Sequence, residues 1–168
     1  MRSLLVLFGF LLLAGLALSA SSLDLNGVIG TAFSEDGSLK AAFQPSLYKL
    51  NKYGEQVPSL VKDFFGNERV NLYVLMNDGS VESFGVVMKE ARIQSLTRSK
   101  LADPTLNVNV SEQAILNVLS ASDTEQAFVQ AIKGKHIQYE GVGFFNSLKF
   151  AFIDFFSGFW LSMMGYQE

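Results

Sequence analysis

Between Val70 and Met88 the sequence leaves room for little besides an antiparallel hairpin. Val70, Leu72, Val74 and Met76 fall on alternate positions, Asn77-Asp78-Gly79 follows, and Val81 to Met88 is a second run rich in β-branched residues. A period of two puts one set of side chains on one face of a strand. An Asp-Gly pair between two such runs predicts a tight turn, because both residues tolerate positive φ. Further strands are available nearby. Lys89 to Leu96 offers a third, and Leu106-Asn107-Val108-Asn109-Val110 offers a fourth with one buried and one wet face. His136 to Glu140 reads as a fifth, ending at Gly141.

Helical signals fall between and around these strands. Ser111 stands where a strand gives way to a helix, in position to cap a free backbone N–H, and Ile115, Leu116 and Leu119 then share one helical face. Ser122 with Glu125 forms a capping box ahead of Phe128, Val129 and Ile132, and Gly134 predicts the stop. Pro58 to Gly66 has proline where a first helical turn accepts it and glycine where a helix ends. From Leu23 to Gly54 the pattern is weaker. Gly27, Gly30, Gly37 and Pro45 interrupt short apolar runs, which predicts an irregular lead-in with some helix near Ser46 to Lys52.

The two ends of the chain are its most apolar parts. After Met1-Arg2 come Leu4 to Ala17 without a polar side chain, then Ser19, Ala20, Ser21 and Ser22. That order is the n-region, h-region and cleavage region of a signal peptide. Ser3 to Ala20 carries no charge and is near the lower limit for crossing hydrocarbon, so an uncleaved anchor is the alternative. Both readings place the folded part outside the cytoplasm, secreted or tethered to the membrane. At the other end, Phe145, Leu148, Phe152, Phe155, Phe156, Phe159 and Met163 line one helical face. Phe150, Ile153, Trp160 and Leu161 lie off that stripe, so a helix here needs an apolar neighbour besides a sheet. Lys149 and Asp154 interrupt it too much for a membrane span.

Composition narrows the chemistry. The 168 residues are 49% hydrophobic and 17% charged, which predicts one folded domain rather than a disordered chain. The net charge of −3 has the wrong sign for a phosphate-binding surface, so nucleic acid is not an expected partner. The absence of cysteine excludes disulfides, thiolate catalysis and thiolate metal sites. His136 is the single histidine, with no nucleophile or carboxylate at a recognisable spacing, and the acidic residues Glu35, Asp36, Asp63, Glu68 and Glu90 are scattered. No catalytic residue, metal site or cofactor is expected. Gly141-Val142-Gly143 lacks the third glycine of a dinucleotide turn. Asn109-Val110-Ser111 is an N-glycosylation sequon at a strand-to-helix junction.

In order, Val70 to Gly79, Ala102 to Ser111, Ala127-Phe128 and Gly134-Lys135-His136-Ile137-Gln138-Tyr139-Glu140-Gly141 resemble the sterol-carrier-protein type of lipid-binding domain. That family runs through a strand hairpin, a short strand entering a Ser-capped helix, a second helix with an Ala-Phe pair, and a strand closing in a G-K-I-x-x-x-G turn. His136 departs from that last pattern by standing before Ile137. The resemblance spans about Pro58 to Phe156 and implies an α+β fold: a five-stranded, mainly antiparallel sheet with helices over one face, enclosing an apolar tunnel for lipid.

The expected organisation is therefore a signal peptide or anchor over 1–20, a lead-in over 21–57, and a sterol-carrier-like domain over 58–168 with an apolar C-terminal helix. The expected function is non-enzymatic lipid binding or transfer, with a lipid or other apolar small molecule as partner. The expected lining is Leu116, Leu119, Phe128 and Ile132 with Phe145, Leu148, Phe152, Phe155, Phe156 and Phe159. The alternative is an accessory protein that docks on a membrane surface or partner through the aromatic C-terminal helix.

Overall fold

A computed structural model describes residues 24–55, 67–90, 92–122 and 124–143. The apolar N-terminal run, the Pro58 to Gly66 segment and the aromatic stretch from Phe144 onward lie outside the described residues. Helix α1 spans Leu25–Ala32 and, after a 3₁₀ turn at Ala41–Phe43, helix α2 spans Gln44–Glu55. Strands β1 (Arg69–Leu75), β2 (Val81–Lys89), β3 (Arg92–Thr97) and β4 (Leu106–Ser111) follow. Helices α3 (Glu112–Ser120) and α4 (Thr124–Lys133) then lead into strand β5 (Ile137–Gly141).

The five strands form one sheet in the order β3-β2-β1-β4-β5. β1 pairs antiparallel with β2, β2 with β3 and β4 with β5, while β1 and β4 run parallel. The sheet is mixed and mainly antiparallel, and the fold is α+β, as the strand and helix signals predict. The parallel pair arises because the chain leaves β3 at the sheet's edge and re-enters beside the start of β1. There Thr105 N–H donates to the Arg69 carbonyl, and Arg69 N–H donates to Thr105 Oγ1 at 2.9 Å.

Register sorts the side chains into two faces. Leu72 lies between Phe84 and Val108, and Val70 between Val86 and Leu106, so five strands put their apolar residues on one side. Ile115 and Val118 of α3 close over that side, and both are almost completely buried. The opposite face is mixed: Asn71, Asn107, Asn109, Gln138 and Glu140 share it with Tyr73, Val87 and the exposed Leu75–Val81 pair. Part of it is covered by the 98–105 loop. Asn71 accepts the Leu101 N–H and donates to its carbonyl, and a Cβ on Gly85 would lie 2.9 Å from the Leu101 side chain.

Where the sequence reads as an irregular lead-in, the chain is helical from Leu25 to Ala32 and contributes to the core. Leu25, Ile29, Ala32, Phe33 and Leu47 are buried with the sheet residues, and the Phe33 ring meets Phe84 at 5.5 Å between centroids. Burial of Leu25 and Ile29 on one face outweighs the two helix-weakening glycines, Gly27 and Gly30. The Lys40 ammonium donates to the Thr31 carbonyl at 2.9 Å, satisfying a free group at the helix end. The helix expected near Ser46 to Lys52 is present as α2.

The same segment covers the outer edge of β3. Ser38 bridges Thr97, Arg98 N–H donates to the Gly37 carbonyl, and further along the Asn51 amide bonds both backbone groups of Ile93. An Asn side chain thus takes the place of the neighbouring strand that an exposed edge would otherwise recruit.

Two turns share one construction. In Ser34-Glu35-Asp36-Gly37-Ser38 and in Met76-Asn77-Asp78-Gly79-Ser80, the first residue's carbonyl accepts the glycine N–H and its N–H donates to the last residue's carbonyl. The Asp carboxylate accepts from both the N–H and hydroxyl of the following Ser. Only the glycines adopt positive φ, at 80° and 85°. The β1–β2 connection is therefore a three-residue loop with glycine in the left-handed position, rather than the two-residue turn with two positive φ values that Asp-Gly suggests. The Ser80 hydroxyl, then its N–H, holds the Asp78 carboxyl below its ordinary 3.8, and Ser38 does the same for Asp36. A depressed carboxylate pKa contributes stability that is full above the unfolded value and fades as pH falls through the folded one. Ser80→Ala should return the Asp78 titration, followed by NMR, toward 3.8.

α4 ends at Lys133, where Gly134 predicts the stop. The left-handed residue of the cap is Lys135, at φ 57°. Lys135 N–H donates to the Ile132 carbonyl and His136 N–H to the Ala131 carbonyl, the paired bonds of a Schellman cap with Lys135 at C′. A left-handed lysine is strained by its Cβ, so Lys135→Gly should raise stability by about 0.5–1 kcal/mol in a denaturant titration. That net figure allows for the extra freedom glycine gives the unfolded chain.

Candidate apolar binding surface

The candidate surface is the flank of α3 and α4. Ser111 starts α3 as expected, its hydroxyl accepting the Ala114 N–H at 3.2 Å. In the first turn the buried Glu112 carboxylate accepts the Asn77 N–H at 2.8 Å, which ties the helix to the β1–β2 loop. These two bonds fix the helix's rotation, so Ile115 and Val118 point into the sheet. Leu116 and Leu119, each one residue further on and about 100° around the axis, are left half-buried.

α4 repeats the arrangement. Ala131 is buried, and Ile132, one residue later, is half-buried against the core, as are Ala127 and Leu119. Tyr139 of β5, two residues beyond the buried Ile137, also packs partly buried against this cluster. The structure thus places Leu116, Leu119 and Ile132 on the two helices over the apolar sheet face, between full burial and full exposure. Phe128 lies on α4, but its side chain is outside the described residues. Phe145, Leu148, Phe152, Phe155, Phe156 and Phe159 are likewise outside them, and the expected tunnel would need them for its roof.

Tyr139 is a partly buried residue beside the core that the sequence reading passed over. Its signal was present: it alternates with Ile137 along β5 and pairs with Val108 of β4. Two charged residues flank this surface: Glu112, one turn before Leu116, is buried and engaged with the Asn77 N–H, and Lys133 follows Ile132 at the end of α4. The Arg98–Glu82 pair, with bonds of 2.8 and 2.7 Å, lies on β2 and the turn after β3, and the Glu82 carboxylate raises the Arg98 pKa mainly through those bonds. His136 is exposed, and among the described residues no three His, Asp or Glu side chains gather as metal ligands would. Among the described residues no helix is long and apolar enough to cross a membrane.

No protein-family model matches the chain, and no curated protein matches it. Solved structures do. The sterol carrier protein domain 2 of Helicoverpa armigera is similar over 71% of this chain and 87% of its own, at 15% identity and a TM-score of 0.41. Sterol carrier protein 2 of Yarrowia lipolytica is similar over 66% and 92%, at 13% identity and a TM-score of 0.37. The palmitated sterol carrier protein 2-like protein of Aedes aegypti is similar over 56% and 78%, at 16% identity and a TM-score of 0.37. These are domains of the type that the motif order from Val70 to Gly141 resembles.

Proposed function

We propose that the protein is a non-enzymatic lipid-binding or lipid-transfer protein, acting outside the cytoplasm and holding an acyl chain or sterol-like molecule. The observation that carries the reading is the half-buried apolar flank of Leu116, Leu119 and Ile132. It lies over a sheet whose apolar face is already filled, in a chain that continues after Gly143 into its richest aromatic stretch. Burying about 300 Å² of acyl surface there would contribute about 7 kcal/mol, the scale of a micromolar complex before the cost of association is subtracted. No charged contact is required for such affinity.

The aromatic residues Phe145, Leu148, Phe152, Phe155, Phe156 and Phe159 would close the ligand in, and the segment that carries them must move to admit it. The N-terminal apolar run supports export, by a cleaved signal or a retained anchor. The full chain should bind a fluorescent acyl probe saturably, and unlabelled fatty acid should displace it. A probe that binds only when vesicles are present, with the protein floating with them, would replace the carrier reading with membrane docking.

A further inference from the structure

We infer that Asn109 carries an N-linked oligosaccharide, on the face of the sheet opposite the proposed lipid surface; this rests on the export reading. Asn109-Val110-Ser111 is the only Asn-x-Ser/Thr triplet in the sequence. Its backbone is paired on both sides, with Tyr73 of β1 and Gln138 of β5, but its side chain is accessible. Val108 and Val110 point into the core, each 5% exposed, and the alternation of β4 turns Asn109 outward, where it is exposed. Among the described residues its side chain has no hydrogen-bond partner. Of its cross-strand neighbours, Gln138 turns its amide away to the Lys135 carbonyl at 3.1 Å, and Tyr73 is directed toward Asn71, 3.4 Å from its amide.

The surroundings suit a glycan. Asn107, Gln138 and Glu140 are polar neighbours on β4 and β5, Tyr73 stands beside Asn109 on β1, and Leu101 of the covering loop sits over Gly85 and Asn71 rather than on Asn109. A sugar standing here extends from the face opposite the α3–α4 flank. The sequon hydroxyl sets the order of events. In the folded protein Ser111 Oγ accepts the Ala114 N–H, so the transferase must use the hydroxyl before α3 forms. In the transfer, the Asn109 amide nitrogen bonds to C1 of an oligosaccharide carried on a polyprenyl diphosphate. The C1–O bond to the diphosphate breaks, its electron pair leaves with the lipid diphosphate, and one amide proton passes to a base of the transferase.

The test is translation of the full chain with microsomal membranes, reading protease protection and endoglycosidase-sensitive mobility separately. A second arm adds a proven secretion leader ahead of the full chain. Protected chain should run one glycan heavier, Asn109→Gln should abolish the step, and Ser111→Thr should keep it. Protected chain without the step overturns the site. Chain protected only with the added leader overturns export by the native segment, and its mobility still decides the site.

Discussion

Phe33→Ala should destabilise the protein by about 3–5 kcal/mol, as much as removing a ring from the middle of the sheet. Phe33 is 4% exposed and lies outside the region whose motifs define the domain, directly after α1. Its ring is tilted 44° to Phe84, and Phe84 pairs with Leu72 at the centre of the apolar face. If residues 24–55 were a loose lead-in, the substitution would cost a few tenths of a kcal/mol. A double-mutant cycle with Phe84→Ala should give a coupling of about 0.5–1.5 kcal/mol, the range for a packed aromatic pair. Equilibrium denaturation of the four variants measures both quantities.

Leu116→Lys should leave stability within about 1 kcal/mol of the parent and weaken acyl-probe binding by about tenfold or more. Leu116 is half-buried and not part of the buried core, and lysine is as good a helix former as leucine. A cation beside an enclosed acyl chain must lose water, and the carboxylate one turn away, Glu112, is buried and already accepts the Asn77 N–H, so the expected cost is at least the 1.4 kcal/mol that a factor of ten represents. Ile115→Lys is the contrasting variant. Ile115 is fully buried, so that change should unfold the protein rather than alter binding alone. Equal loss of binding and stability at position 116 would show that the flank belongs to the core.

Much of this fold is legible in the sequence because its signals are local. The alternation of Val70 to Met76, the Ser111 cap and the period of Ile115, Leu116 and Leu119 each arise within a few residues and need no distant partner. What escapes local reading depends on tertiary partners. α1 contains two glycines and has few signals of its own, and only the packing of Leu25, Ile29 and Phe33 on the sheet makes it stable. Asn51 reads as one polar residue among several on α2, and its role appears only when Ile93 arrives beside it. Asp36-Gly37-Ser38 carries the same turn chemistry as Asp78-Gly79-Ser80, but lacks the flanking alternation that draws attention to the second. Gly134 marks the stop of α4, but that Lys135 takes the left-handed cap position shows only in the bonds that Lys135 and His136 return to Ile132 and Ala131.

The apolar flank is legible in part for the same reason. Helical period marks Leu116, Leu119 and Ile132 as apolar, but the rotation of α3 that leaves Leu116 and Leu119 half-buried depends on Glu112 reaching the Asn77 N–H across 35 residues. Tyr139 depends on pairing with β4 in the same way.

Lipid mass spectrometry of the full chain, extracted and purified under native conditions, tests the central claim most directly. The account predicts a defined lipid or narrow lipid class retained near one per protein and lost from Leu116→Lys. Folded parent protein that emerges with no lipid, and takes up none when offered fatty acids or sterols, would contradict it.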